Sequence, residues 1–179
     1  LVSTGDSFSS WEYSVGDFLV SWQGNDLADA RLVVSSTANS RDAKWQSLPG
    51  SSFVMAAVAS VDAEPRTGYS HLNEKTAAIC TGHSVENGRI VNGSLAITGA
   101  LDCSALGEVG YTLTLSEVGT GQLQFDLNIE NDSIGRSGLI FASNAEERVF
   151  GFGEQFSAFD FKGKRVPIMV DEQGLSRGA

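Results

Sequence analysis

Hydrophobic and polar residues alternate with period two along much of the chain, and helical spacing is nearly absent. Phe18, Val20 and Trp22 point one way and Leu19, Ser21 and Gln23 the other, until Asn25-Asp26 ends the run. Leu32 to Ser36 predicts a second strand. The segment from Phe53 to Val61, stopped at Glu64-Pro65, predicts a third. Thr76 to Val85 and Arg89 to Val91 flank Glu86-Asn87-Gly88, where Asn-Gly supplies the positive φ angles of a tight hairpin. Asn92-Gly93 predicts a second such turn, into Ser94 to Thr98. The clearest pair sets Tyr111, Leu113 and Leu115 against Leu123, Phe125, Leu127 and Ile129, with Thr, Ser, Gln, Asp, Asn and Glu between them and Val118-Gly119-Thr120-Gly121 as the connection. Strands with one wet face belong to antiparallel sheets, and eight or more of them pack as two sheets face to face. The expectation is an all-β protein, an antiparallel β-sandwich, with one domain over 1–179 and no internal repeat or linker.

Composition narrows the function classes. Twelve Lys and Arg against 22 Asp and Glu give a net charge of −10, which repels phosphate backbones and anionic headgroups, so neither nucleic acid nor a membrane surface is an expected partner. No apolar run reaches the roughly 18 residues that span a bilayer. The chain opens on Leu1, which implies a leader or upstream segment already removed. Cys80 and Cys103 form an even pair, and Asn92-Gly93-Ser94 and Asn131-Asp132-Ser133 are both glycosylation sequons. Together these favour secretion or another form of export, in which Cys80 and Cys103 are bridged; two buried free thiols in a cytoplasmic protein are the alternative.

Signals for chemistry are sparse. Gly151-Phe152-Gly153-Glu154-Gln155-Phe156 begins like a phosphate-cradling loop but lacks a third glycine and a following helix, so no nucleotide cofactor is expected. His71 and His83 have no second ligand at metal spacing and read as surface histidines, so no metal is expected. Gly-x-Ser-x-Gly is absent. Asp126, Asn128 and Glu130 alternate as a solvated sheet face would. Glycosidic cleavage needs two carboxylates across one bond, and the adjacent pairs Glu146-Glu147 and Asp171-Glu172 point to opposite faces if extended. No catalytic residue is expected in this chain.

The last third is more specific. Glu147-Arg148-Val149-Phe150-Gly151-Phe152-Gly153-Glu154-Gln155-Phe156-Ser157, then Asp160 to Ile168, then Glu172-Gln173-Gly174-Leu175-Ser176-Arg177-Gly178, resembles family 31 glycoside hydrolases, in the branch of α-glucosidases and sulfoquinovosidases. Trp45-Gln46-Ser47-Leu48-Pro49-Gly50-Ser51-Ser52-Phe53 resembles the same branch, so the likeness runs from Trp45 to Gly178 and is specific over Glu147 to Gly178.

This resemblance implies a galactose-mutarotase-like N-terminal sandwich, with 147–178 as the junction to a (β/α)8 barrel that is absent here. The family's aspartate nucleophile and aspartate acid/base belong to that barrel, and neither motif occurs in this chain. The implied partners are a catalytic barrel, in the same polypeptide or a second processed chain, and an α-linked carbohydrate substrate. Gly151 and Gly153 would allow a side-chain-free crossing at the junction, where Glu154 could accept backbone hydrogen bonds. Phe156, Phe159 and Phe161 either wall a sugar pocket or plug the interface. Glu172, Gln173 and Arg177 either position the interface or touch substrate. The competing function is a stand-alone, lectin-like carbohydrate-binding sandwich.

Overall fold

The computed structural model describes residues 10–66, 69–150 and 159–164. Among these there is no helix, and ten strands form two antiparallel sheets of a β-sandwich. The first sheet is β1 (Trp11–Val15), β2 (Phe18–Gln23), β3 (Arg31–Ser36) and β4 (Asn39–Gln46), in that order. The second comprises β5 (Val54–Arg66), β6 (Tyr69–Val91), β7 (Ser94–Cys103), β8 (Gly107–Gly119), β9 (Gln122–Ile129) and β10 (Arg136–Leu139), in the order β10-β5-β6-β7-β8-β9. The chain groups into two compact units, Leu1–Ser60 with Lys75–Ala142, and Val61–Glu74 with Ser143–Ala179.

The sandwich core lies in the first unit, and the period-two pattern builds it. Val15, Phe18, Val20, Leu32 and Val34 from the first sheet meet Val54, Leu95, Ile97, Tyr111, Leu113 and Leu115 from the second, all buried. The β8–β9 register pairs Tyr111 with Ile129, Leu113 with Leu127 and Leu115 with Phe125, the pairing that the alternation predicts. Asn92 (φ 51°) and Gly93 (φ 82°) form the tight β6–β7 turn, where two left-handed residues match the twist of the flanking strands.

The hairpin predicted at Glu86-Asn87-Gly88 does not form. Residues 86–88 lie within β6, which runs unbroken to Val91 and absorbs the irregularity as a register shift between Val85 and Asn87. Gly88 is used for packing instead, with the Trp11 indole against it and its carbonyl accepting from the Tyr13 hydroxyl at 2.7 Å. The β5 strand continues through Pro65, well past the β10 ladder, which stops at Ala57.

Beside this, β6 and β7 place Cys80 opposite Cys103, and their sulfurs are bonded, with Cα atoms 4.1 Å apart. His83, on the same strand, is not a surface histidine. Its ring lies 4.6 Å from Phe53, edge to face, and stacks on Tyr111. Gly99, opposite Tyr111, makes room for this cluster: a Cβ there would lie 2.1 Å from the Ser84 carbonyl oxygen and 2.6 Å from the Tyr111 hydroxyl. Gly99→Ala is expected to cost about 3 kcal/mol, an overpacking penalty at the upper end of the usual range. Urea unfolding checks it, and a loss below about 1 kcal/mol would show that the strands simply part.

Candidate functional site

In the second unit, two arms of chain are zipped together around one carboxylate. Arg148 Nη1 donates to Asp160 Oδ2 at 2.8 Å, while the Val149 and Lys162 amides donate to Asp160 Oδ1 at 3.2 and 3.0 Å. The Phe161 amide donates to the Val149 carbonyl at 2.8 Å, and the Lys162 ammonium reaches the Asn144 carbonyl. Asn144 in turn accepts from the Glu146 and Glu147 amides, fixing the bend that leads into Arg148. The local cause is sequence: the Asp160 side chain takes the Lys162 amide in an Asx turn, and Phe161-Lys162-Gly163-Lys164 closes a β-turn, the Lys164 amide donating to the Phe161 carbonyl at 2.9 Å with Gly163 third at φ 69°.

Electrostatics hold the zip closed. The Arg148 guanidinium, followed by the Lys162 and Val149 amides, pulls the Asp160 carboxyl down to about 2, so it stays an anion well into acid. The zip presents an aromatic pair to solvent: Phe150 and Phe159 meet edge to face with centroids 5.2 Å apart, yet Phe159 is 87% and Phe150 55% exposed. Two large apolar rings fixed in the open are the chemistry of an interaction surface, since exposed aromatic clusters rimmed by charge mark contact sites.

The residues expected from sequence fall into three groups. Phe159 is on the surface. Phe161 is buried, at 6% exposed. Gly151, Gly153, Glu154, Phe156, Glu172, Gln173 and Arg177 lie outside the described residues, as does the side chain of His71. Among the described residues, no three His, Cys, Asp or Glu side chains gather as a metal site would need. Phe150 and Asp160 carry the arrangement although the motif alone does not single them out; the turn signature at Asp160 is the sequence signal that points to them.

Against known proteins, one stretch of this chain is similar to a sulfoquinovosidase. Over 70 residues, 39% of the chain, it is 37% identical to the sulfoquinovosidase of Escherichia coli (strain K12). That stretch covers 10% of the relative's length. No family model matches the chain, and no solved structure matches it.

Proposed function

We propose that this chain is the non-catalytic N-terminal sandwich of a retaining α-glycosidase of the α-glucosidase or sulfoquinovosidase type, supporting a catalytic barrel and shaping the entrance to its substrate pocket. The observation that carries the reading is the exposed Phe150–Phe159 pair, flanked by the hydrogen bonds of Asp160 to Arg148, Val149 and Lys162, within the segment that resembles the family's junction. The likeness to a sulfoquinovosidase supports the same class. In this reading the pair packs against the barrel, and the two catalytic carboxylates come from outside the chain. An oxocarbenium-like transition state needs both a nucleophile and an acid at one bond, and the sandwich supplies neither. Export belongs to the same proposal, because a disulfide such as Cys80–Cys103 persists in an oxidising compartment.

Two measurements test it. The 179-residue chain by itself is expected to hydrolyse neither p-nitrophenyl α-glucoside nor its sulfonated analogue, and turnover of either by pure protein would overturn the assignment of catalysis elsewhere. In the native polypeptide containing this chain, Phe159→Ala is expected to lower kcat/KM on the order of 100-fold, because a displacement of about 1 Å in a supporting contact is enough for such a loss. The same change should leave the melting temperature of the isolated chain unaltered, since Phe159 contributes little to its fold. Unchanged activity would remove the docking role.

A further inference from the structure

At one end of the sandwich, three hairpin turns surround a groove of about 680 Å³, within the roughly 300–1,000 Å³ of small-ligand sites. Asp17 comes from the β1–β2 turn, Thr37 from the β3–β4 turn and Gly121 from the β8–β9 turn, with Phe18, Lys44 and Trp45 on the strands between. The turns are tied to one another. The Thr37 amide and hydroxyl both donate to the Asp17 carbonyl, at 2.9 and 3.1 Å, and the Asp17 amide donates to Glu117 Oε1 at 3.2 Å. The groove is therefore built before any ligand arrives.

Trp45 defines what fits. Its indole lies near-parallel to the Phe18 ring with centroids 6.5 Å apart and meets the Phe125 ring edge to face at 5.3 Å, yet remains 39% exposed. A tryptophan braced on two sides and open to a concave space is a stacking platform for a flat, apolar face. Around it stand groups that bond hydroxyls. The Asp17 carboxylate accepts, the Thr37 oxygen has lone pairs left after donating to Asp17, and the Lys44 ammonium keeps donors beyond its 2.5 Å pair with Asp42. Charge excludes anions: Asp17, Asp42 and Glu117 outnumber Lys44, in a chain of net charge −10. A ligand with an apolar face, a girdle of hydroxyls and no negative charge satisfies all three conditions.

We propose that this groove binds a neutral pyranose, its CH face on Trp45 and its hydroxyls on Asp17, Thr37 and Lys44. The site needs no barrel and does not rest on the glycosidase reading; loss of sugar binding here would leave the Phe150–Phe159 contact untouched, and the reverse also holds.

The test is titration of the isolated chain with maltotriose, cellotriose and mannotriose, followed through the ¹⁵N signal of the Trp45 indole, with glucuronate as the charged control. At least one trisaccharide is expected to give a saturable shift with Kd on the order of 1 mM, and glucuronate none. Trp45→Ala is expected to weaken binding by tenfold or more. Because Trp45 also braces Phe125, Asp17→Ala serves as a second variant: its carboxylate is exposed, so the fold is kept while affinity falls severalfold. No saturable shift with any of the three sugars, binding that survives both substitutions, or equal binding of glucuronate would each overturn the proposal.

Discussion

Acidification from pH 7 to pH 4 is expected to remove about 3 kcal/mol of stability through one residue, His83, since a separation of one pH unit between folded and unfolded pKa is worth about 1.4 kcal/mol. Burial against Phe53 and Tyr111 lowers its pKa from 6.5 to about 4. The Tyr111 hydroxyl donates to the Ser84 carbonyl at 3.0 Å and accepts from His83 Nε2 at 2.9 Å, so the neutral imidazole carries its proton on Nε2. Tyr111 cannot relieve a charge there, because burial and then Glu86 push its own pKa up. The sign follows from a folded pKa below the unfolded one. The unfolded chain takes up a proton first, so the stabilisation is complete above about pH 6.5 and fades as pH falls towards 4. Urea unfolding between pH 4 and 7 checks it, and His83→Gln is expected to flatten the profile. A wild-type slope equal to that of the variant would show that His83 does not carry the effect.

Loss of the Cys80–Cys103 bond is expected to cost a similar amount. The bond closes a loop with a sequence separation of 23, and a loop of that size removes about 3 kcal/mol of unfolded-chain entropy. Cys80→Ala with Cys103→Ala should therefore lower the melting temperature by roughly 10 °C in a chain of this length. Position adds a second effect. The bond sits next to the register shift between Cys80 and Gly82, where a slip of one residue would turn inward-facing side chains outward. Hydrogen exchange of the β6 and β7 amides should rise in the double variant ahead of global unfolding. Unchanged melting and exchange would show that backbone pairing alone sets this register.

The sandwich is legible in the sequence because its central strands are amphipathic: Leu113 and Leu115 against Leu127 and Phe125 announce both face and partner. Edge strands announce less. β4 is exposed at every position, and its Arg41, Asp42 and Lys44 protect an edge rather than face a core, so no alternation marks it. β1 does alternate, Trp11, Tyr13 and Val15 against Glu12 and Ser14, but five residues make a faint signal. His83 looks like a surface residue in the sequence because its chain neighbours, Gly82 and Ser84, are small and polar, whereas its real neighbours, Phe53 and Tyr111, arrive from distant strands. The same limit applies to the two surfaces proposed as sites. Phe159 stands out within its motif, but its exposure and its contact with Phe150 depend on Asp160 reaching Arg148. The Trp45 groove depends on three turns that meet only in the folded sandwich.

Strand order also bears on how the chain folds. Apart from one pairing, neighbours in each sheet are neighbours in sequence, so the strands can zip as successive hairpins at low entropic cost. The exception is β10 on β5, Arg136 to Ala57 through Leu139 to Val54, which joins segments far apart along the chain. That closure has the slowest intrinsic step. Until it happens, Val54-Met55-Ala56-Ala57 presents a bare apolar edge with unpaired amides, a template for another chain as much as for β10. Four residues at 136–139 thus decide between a finished sheet and an aggregate during refolding, even though they add little to the core.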